Sequence, residues 1–401
     1  MAQILFIYKQ FPAPSVGHAG GESLFGLMEA LRQRGHRLAL VARMRDEERA
    51  LLPALEAICE RVVTVPHHRS LPGWRPLALA RSYLGLRRAA KKALRELQPD
   101  LVHIETTQTA IVLLGLSLPP SSFRTQDVNW FMWQQKAARA RGLKRLWAKM
   151  MAACFRTFEP ALCRRHDLIL AISEGDRALL APVCGDRPLH LLPLAPLAPA
   201  GPADPDIPSA IPPGSSTVLT ASPPALLFVG AMDRAHNLAG VTWFLDHVWP
   251  RIREAQHDAR FYIVGGRPPA ELQARADDES CFVTGFVDDL ASWYRAATVF
   301  VSPMLVAGGL LQKVVDAMAL GVPVVATSVC NHGLGATPGE HLLTADTAED
   351  FAAAVLALLR DPEARARLGS AGQRFIQTRY DTETAIAEWE AALTELQTTK
   401  V

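Results

Sequence analysis

Apolar residues cluster at Ile4–Tyr8 and again at Leu38–Val41, and between them Leu24, Leu27, Met28 and Leu31 recur at i, i+3, i+4 and i+7. The two clusters read as strands and the spaced set as the buried stripe of a helix. That helix stops at Arg34-Gly35-His36 and starts after a loop, Lys9–Gly21, that closes on His18-Ala19-Gly20-Gly21. A βαβ opening predicts a parallel sheet with its ligand site at the strand C-termini. The alternation continues with a helix near Leu77–Leu97, a strand at Leu101–Ile104, a long helical stretch around Trp130–Arg165 and a strand at Leu168–Ala171.

Ten prolines and no lysine or arginine lie between Pro193 and Pro224, a composition that excludes a core element and marks a linker. Beyond it the pattern restarts. Strands are expected at Leu226–Val229, at Arg260–Val264 (followed by Gly265-Gly266), at Val299–Ser302 and at Pro323–Ala326. Asn237 is placed to cap a helix carrying Leu238, Val241, Leu245, Val248 and Ile252, and a further helix is expected over Leu310–Leu320. The division that follows is an N-terminal α/β domain (1–192), a linker (193–224), a second α/β domain (225–380) and a closing segment (381–401). The closing helix, Thr382–Leu396, shows Ile386, Trp389 and Leu393 on one face and is expected to cross back onto the first domain.

A chain of 401 residues with 49% apolar and 20% charged residues is a folded protein rather than a disordered one. No apolar run is long enough to span a bilayer, and Met1–Tyr8 lacks the basic flank of a signal peptide. Six scattered cysteines without a CxxC pair point to reduced thiols and a cytoplasmic setting, with a peripheral place on the inner membrane face as the variant of it. Net charge is only +2, yet it is unevenly spread. Up to Ala195 there are 28 Lys and Arg against 16 Asp and Glu; the remainder has 14 against 24. The basic excess concentrates in Arg69–Gln98, with eight cations and one acid, and in Gln134–Arg165, with nine and one. Such helices either rest on anionic lipid or present an ordinary solvated face. Nucleic acid is excluded as a partner, because no recognition motif accompanies the charge.

Chemistry concentrates in Ser302–Thr327. A strand leads into a loop ending Gly308-Gly309, then a helix, then a second strand. Leu311, Val314, Val315 and Met318 form the buried stripe, while Lys313 and Asp316 share the other face. Paired glycines let a phosphate approach the backbone, the helix N-terminus favours an anion, and Lys313 adds a positive charge. The alternative is a glycine turn packing a helix on a sheet, with an exposed Lys and Asp.

This segment, with Phe228–Asn237 upstream and Gly285-Phe286-Val287-Asp288-Asp289 between, resembles the donor-binding half of the retaining glycosyltransferases of family 4. The family's GT-B fold sets two Rossmann-like α/β domains with parallel sheets across a central cleft. The second acid of the family's E-x7-E signature falls on Asp316 and the first on Gly308, so both positions depart from the pattern. In the N-terminal half, Gly20-Gly21 matches the family's glycine pair. Arg124–Trp130 matches a segment often read Arg-x-His-Asn-x-Glu-Tyr, with Gln126 at the His and Asn129 at the acid. Asp167–Glu174 matches the last N-domain strand and its Ser-Glu turn.

The resemblance implies transfer of a hexose-type sugar from a nucleoside diphosphate to a glycan or lipid-linked acceptor, without enzymic nucleophile, metal or other cofactor. It puts the donor at Gly20, Gly21, Gly230, Arg234, Asn237, Gly285, Phe286 and Val287, and at Gly308, Gly309, Leu310, Leu311, Lys313 and Asp316. Arg234 reads equally as a solvated surface residue. His103, His18 and Glu105 lie near predicted strand C-termini, where an acceptor would sit, although a lone His there is also an ordinary structural residue. Gln126, Asn129 and His103 are the expected acceptor contacts. His18 and Asp127 are the catalytic candidates, Asp127 orienting a hydroxyl unless it is a plain turn residue. A non-catalytic sugar-nucleotide binder, favoured by the missing first acid, and an epimerase on the same plan remain as rivals. A dinucleotide dehydrogenase is disfavoured because no GxGxxG follows the first strand.

Overall fold

The computed structural model describes residues 1–14, 16, 19–67, 75–195, 223–277, 279–287, 289–307 and 309–399. The chain forms two compact units, Met1–Ala195 with Thr382–Val401, and Pro196–Asp381.

The first unit holds seven strands: β1 (Gln3–Tyr8), β2 (Arg37–Met44), β3 (Arg61–Pro66), β4 (Leu101–Glu105), β5 (Ser121–Thr125), β6 (Leu168–Ala171) and β7 (Leu189–Leu191). They pair in parallel in the order β3-β2-β1-β4-β5-β6-β7. Alternate residues of β1 go to opposite faces, as a period of two requires. Ile4, Phe6 and Tyr8 pack with Leu24, Leu27, Met28 and Leu31 of the Ala19–Gln33 helix and with Ile386, Trp389 and Leu393 of the Thr382–Thr399 helix. Leu5 and Ile7 pack on the other side with Leu86, Ala90 and Ala93, and with Leu162 and Cys163. Both faces are covered, which is why these strands are apolar without interruption.

The second unit holds β8 (Ala225–Val229), β9 (Arg260–Val264), β10 (Cys281–Gly285), β11 (Val299–Ser302), β12 (Val324–Ala326) and β13 (Leu343–Thr344). Their order is β10-β9-β8-β11-β12-β13, again parallel. In both sheets the order runs outward from the first strand and then reverses. The switch falls between β1 and β4 in one unit and between β8 and β11 in the other, and ligands of open α/β sheets bind at such points.

Three expectations change in detail. The stretch Trp130–Arg165 is two helices, Asn129–Arg139 and Gly142–Arg165, because Ala140 and Arg141 are extended and Gly142 takes φ +57°. The helix expected from Leu310 begins at Gln312. Asn237 is not a cap: the Ala235–Trp243 helix starts two residues earlier, and Asn237 is buried in its first turn.

Candidate functional site

In the second unit the switch point gathers residues far apart in sequence. Gly230 follows β8, and a Cβ there would lie 2.7 Å from Asn237 Nδ2 and 2.9 Å from Lys313 Nζ. Only a glycine admits both side chains so close to the backbone. Asn237 donates through Nδ2 to Ala231 O at 2.9 Å and accepts from Lys313 Nζ at 2.7 Å. The amine also lies 3.9 Å from Met304 Sδ and 4.2 Å above the Phe228 ring. Burial pushes Lys313 down to about 7; the Cys330 thiol pulls it up and Arg234 pushes it further down. Among the described residues the amine meets no carboxylate.

Lys313 and Asp316 are therefore not the exposed surface pair of the alternative reading. Lys313 is partly buried, and Asp316 is buried with Oδ1 accepting from Gln312 Nε2 at 2.8 Å. Ahead of this helix, Gly309 adopts φ +60°, and its carbonyl presses on Gly333, where a Cβ would meet it at 2.0 Å. Leu310 is buried and Leu311 partly so. The neighbouring strand ends complete the rim: Gly265 N donates to Gly285 O at 2.9 Å, Gly285 has φ +79°, Phe286 is exposed and Val287 partly so. Arg234 is exposed and acts on Lys313 only through its charge. Arg267, which the sequence reading did not mark, pairs with Asp233 at 2.6 Å. Gly308 lies outside the described residues, as does His18.

In the first unit the switch point is built differently. Buried Glu105, at the end of β4, accepts from Arg124 Nε at 2.6 Å and from Gln126 Nε2 at 3.0 Å, and pairs with His103 Nε2 at 3.1 Å. Burial alone would raise the Glu105 carboxyl; Arg124 and His103 outweigh it and hold it below its ordinary value. Burial lowers His103 in turn. Gln126 lies against the start of the Ala19–Gln33 helix: a Cβ on Gly20 would come within 2.6 Å of Gln126 Oε1. Gly21 is buried in the same turn. Thr106, next after β4, holds φ +73°, a strained value for a β-branched residue.

Two acceptor expectations are corrected here. His103 has no exposed surface; its ring sits 5.2 Å from both Phe6 and Trp389, and Nδ1 pairs with Ser122 Oγ at 2.8 Å. Asn129 turns inward, its Nδ2 donating to Glu159 Oε1 at 2.7 Å, to Thr107 Oγ1 and to Asp127 O. Neither is placed to touch an acceptor. Glu159 was missed, although it is the single acid of the basic stretch Gln134–Arg165. It accepts from the backbone N–H groups of Asn129 and Trp130, at 3.0 and 3.2 Å, and so anchors the start of the Asn129–Arg139 helix. Burial raises its carboxyl despite these bonds. Asp127 is partly buried and lies close enough to Asp176 for its charge to be felt there. Asp176, buried beside the Ser173 cap, is pushed up to about 7 by burial, with Asp127 and Glu159 adding to the rise. The spacing Ser173-x-x-Asp176 is a helix-start signal that the sequence carries openly.

Each unit matches a family model of its own. Residues 20–195 match "Glycosyltransferase Family 4", and residues 223–361 match "Glycosyl transferases group 1". Sucrose-phosphate synthase from Thermosynechococcus elongatus superposes with a TM-score of 0.73 at 19% identity, over 99% of this chain and 100% of that one. The fold is GT-B. Anabaena HepE, solved in complex with UDP-glucose, shares this GT-B plan with a TM-score of 0.65 at 15% identity, over 98% of this chain and 100% of its own. Identities this low establish the GT-B architecture and leave chemistry to the site. Among curated proteins, an uncharacterised 44.6 kDa protein of the Klebsiella pneumoniae cps region is 26% identical over 165 residues, or 39% of this chain and 42% of that protein. The phosphatidyl-myo-inositol mannosyltransferase of Mycobacterium leprae (strain TN) is 32% identical over 162 residues, with the same shares. The chain thus spans about two-fifths of the length of the curated relatives it matches.

Among the described residues no group of three or more His, Cys, Asp or Glu is arranged to hold a metal ion. No helix among them is long and apolar enough to cross a membrane.

Proposed function

We propose that this chain is a glycosyltransferase that moves a hexose-type sugar from a nucleoside diphosphate to a glycan or lipid-linked acceptor with retention of configuration, in cytoplasmic synthesis of a surface polysaccharide. The observation that carries the reading is the convergence of Gly230, Asn237 and Lys313 at the β8/β11 switch point, around an amine that meets no carboxylate among the described residues. A diphosphate is the anion that fits there: Gly230 lets Asn237 and Lys313 come up against the turn after β8, Gly309 lies just ahead of the Gln312–Ala319 helix, and Lys313 supplies the countercharge. Asp316, one turn on, is assigned to the nucleotide ribose, with Arg234 and the rim at Gly285, Phe286 and Val287 beside the donor. Of the first unit's residues, Gly20 and Gly21 are assigned to the donor, Gln126 to the acceptor, and Asp127 to orienting the acceptor hydroxyl.

The chemistry requires no protein nucleophile. The acceptor oxygen bonds to the anomeric carbon on the face that the phosphate leaves, the bond from that carbon to the phosphate oxygen breaks, and the acceptor proton passes to the departing diphosphate. Lys313 stabilises the charge that develops on the leaving group. A fixed cation at that position acts more strongly in a dry site than in water. No metal or organic cofactor is assigned a part.

The test is release of nucleoside diphosphate from a panel of sugar nucleotides, with and without oligosaccharide and lipid-linked acceptors. Acceptor-dependent release supports transfer. The replacement of the first signature acid by Gly308 favours a second reading, a binder that does not turn over; saturable donor binding with no release from any donor would establish it in place of the first.

A further inference from the structure

The Asn129–Arg139 and Gly142–Arg165 helices pack as a hairpin, with a groove of about 410 Å³ between them. Ala137 and Ala138 line it from the first helix, Ala152 and Ala153 from the second, and these small side chains leave the space open. Gln134, Arg145, Lys149 and Arg156 complete the lining. At about 100° per residue, positions 145, 149 and 156 fall within about 40° of one another around the helix. The exposed apolar residues Leu143, Leu146, Trp147 and Met150 centre about 130° away. The three cations therefore belong to the groove and not to the apolar side. Along the helix they span about 16 Å at 1.5 Å per residue, and the groove has the volume of an ordinary small-ligand site.

All three cations are exposed. Among the described residues Arg145 and Lys149 make no hydrogen bond or ion pair, and Arg156 makes only a ring contact, 5.4 Å from the centre of Trp130. The single acid between Gln134 and Arg165 is Glu159, which is buried and turned to Asn129. A cleft lined by one sign of charge focuses its field, so the occupant that fits is an anion. The rest of the lining narrows the class. Gln134 is exposed, and its amide both donates to and accepts from hydroxyls. Trp130, half-buried at the Arg156 end, has a negative ring face of the kind on which the C–H side of a sugar ring stacks. Cations for carboxylates, an amide for hydroxyls and an indole for a ring face together complement an acidic saccharide. An acidic peptide offers the charge without the hydroxyls, and a flat bilayer does not enter a recess between two helices. The Arg156 end also begins close to the candidate acceptor residues, since Trp130 follows Asp127 by three positions and its N–H is held by Glu159 at 3.2 Å.

We propose that this groove is a binding subsite for an acidic glycan of the uronic-acid type, in which Arg145, Lys149 and Arg156 take carboxylates along the chain, Gln134 takes hydroxyls and Trp130 takes a sugar face. Its role as the seat of a growing acceptor rests on the transfer reading; the binding itself does not. No bond is made or broken in the groove, so it selects which acceptor is held and leaves the transfer step to the switch-point residues.

The full chain is titrated calorimetrically at low salt, with no sugar nucleotide present, against oligosaccharides of galacturonic and of mannuronic acid and against their methyl esters, which keep the shape and lose the charge. At least one acid form should bind saturably and weaken as salt is raised, and its ester should bind about tenfold more weakly or worse. Arg145→Glu/Lys149→Glu should lose about tenfold or more, because each reversed charge now repels the ligand. Leu143→Ser/Met150→Ser, on the other side of the helix, should bind like wild type. Arg145 and Lys149 are exposed and without partners among the described residues, so the thermal midpoint should be kept; if it falls, the single change Lys149→Gln carries the comparison. Wild-type protein that binds neither acid overturns the proposal, as do esters that bind as tightly as the acids, or a groove variant that binds like wild type. Polyglutamate or a single-stranded oligonucleotide binding as tightly as the acids, and lost in the same variant, also overturns it, since the groove would then read charge alone. Acid oligosaccharide bound with no diphosphate released from any donor leaves the groove standing and removes the transfer reading. Transfer to neutral acceptors with no acid bound does the reverse.

Discussion

Arg124 in the first unit and Lys313 in the second both sit at the switch point of a parallel sheet, yet they are met differently. Arg124, 1% exposed, lies 2.6 Å from the Glu105 carboxylate, which also takes Gln126 and His103. Lys313 has an amide oxygen, a thioether and an aromatic ring. An ion pair whose carboxylate takes three side-chain partners is already answered from within the protein, even though Arg124 Nη2 is buried without a hydrogen bond, and its work is to fix neighbouring side chains. A cation that meets no carboxylate among the described residues is left able to answer an anion from outside. The contrast separates a positioning centre, around Glu105, from a binding centre, around Lys313.

The largest effect should come from breaking the internal pair. Arg124→Met leaves Glu105 buried beside a neutral side chain and should cost about 3–5 kcal/mol in urea unfolding at neutral pH. A loss below about 1 kcal/mol would mean that Glu105 is not held by Arg124, and the contrast would lapse.

Asp176, also in the first unit, is a buried carboxyl pushed up to about 7, and it sharpens the comparison through pH. Its folded value lies above the unfolded one, so the native state holds more protons between roughly pH 4 and pH 7. The stability it lends below that window is lost as pH rises through about 7. Asp176→Asn cannot ionise, and should match wild type near pH 4 yet exceed it at pH 8 by on the order of 2–4 kcal/mol. Equal unfolding free energies at pH 8 would show that the carboxyl is not desolvated as described.

The smallest change in stability but the most informative one is Lys313→Met. Removing a desolvated amine should leave the thermal midpoint equal or higher, while nucleoside diphosphate affinity falls about tenfold or more, the loss of a contact worth roughly 1.5–3 kcal/mol. Because the amine ionises near 7, wild-type binding should weaken as pH is raised from 7 to 9, and calorimetry in buffers of different ionisation enthalpy should show proton uptake. In Lys313→Met both signatures should vanish. A variant that binds as tightly as wild type removes Lys313 from the donor site.

The two parallel sheets were legible because each strand is a short apolar run between helical periodicities, a signal carried by neighbours in sequence. Ile4–Tyr8 and Leu168–Ala171 needed nothing from the rest of the chain to be recognised. Lys313 was legible as a candidate from the glycines ahead of it. Its setting was not, since Asn237 lies 76 residues earlier and no local pattern joins them. His103 misled for the same reason. A histidine near a strand C-terminus reads as accessible until Trp389 and Phe6 close over it. Glu159 escaped notice because its role, holding two N–H groups at the start of another helix, depends on the antiparallel return of Gly142–Arg165.

The Thr382–Thr399 helix has a consequence for how the protein is made. Trp389 fills the core beneath β1 and β4, and Glu390 reaches His36 at 2.8 Å, so the first unit is completed by residues synthesised only after the second. Domains ordinarily fold in the order of synthesis. Here the first unit waits on a helix translated after the second: its apolar face around Phe6 and Leu24 stays open while the whole second unit is made. A chain truncated ahead of Thr382 would carry a finished second unit and a first one with an unsealed core, the state that chaperones and proteases recognise.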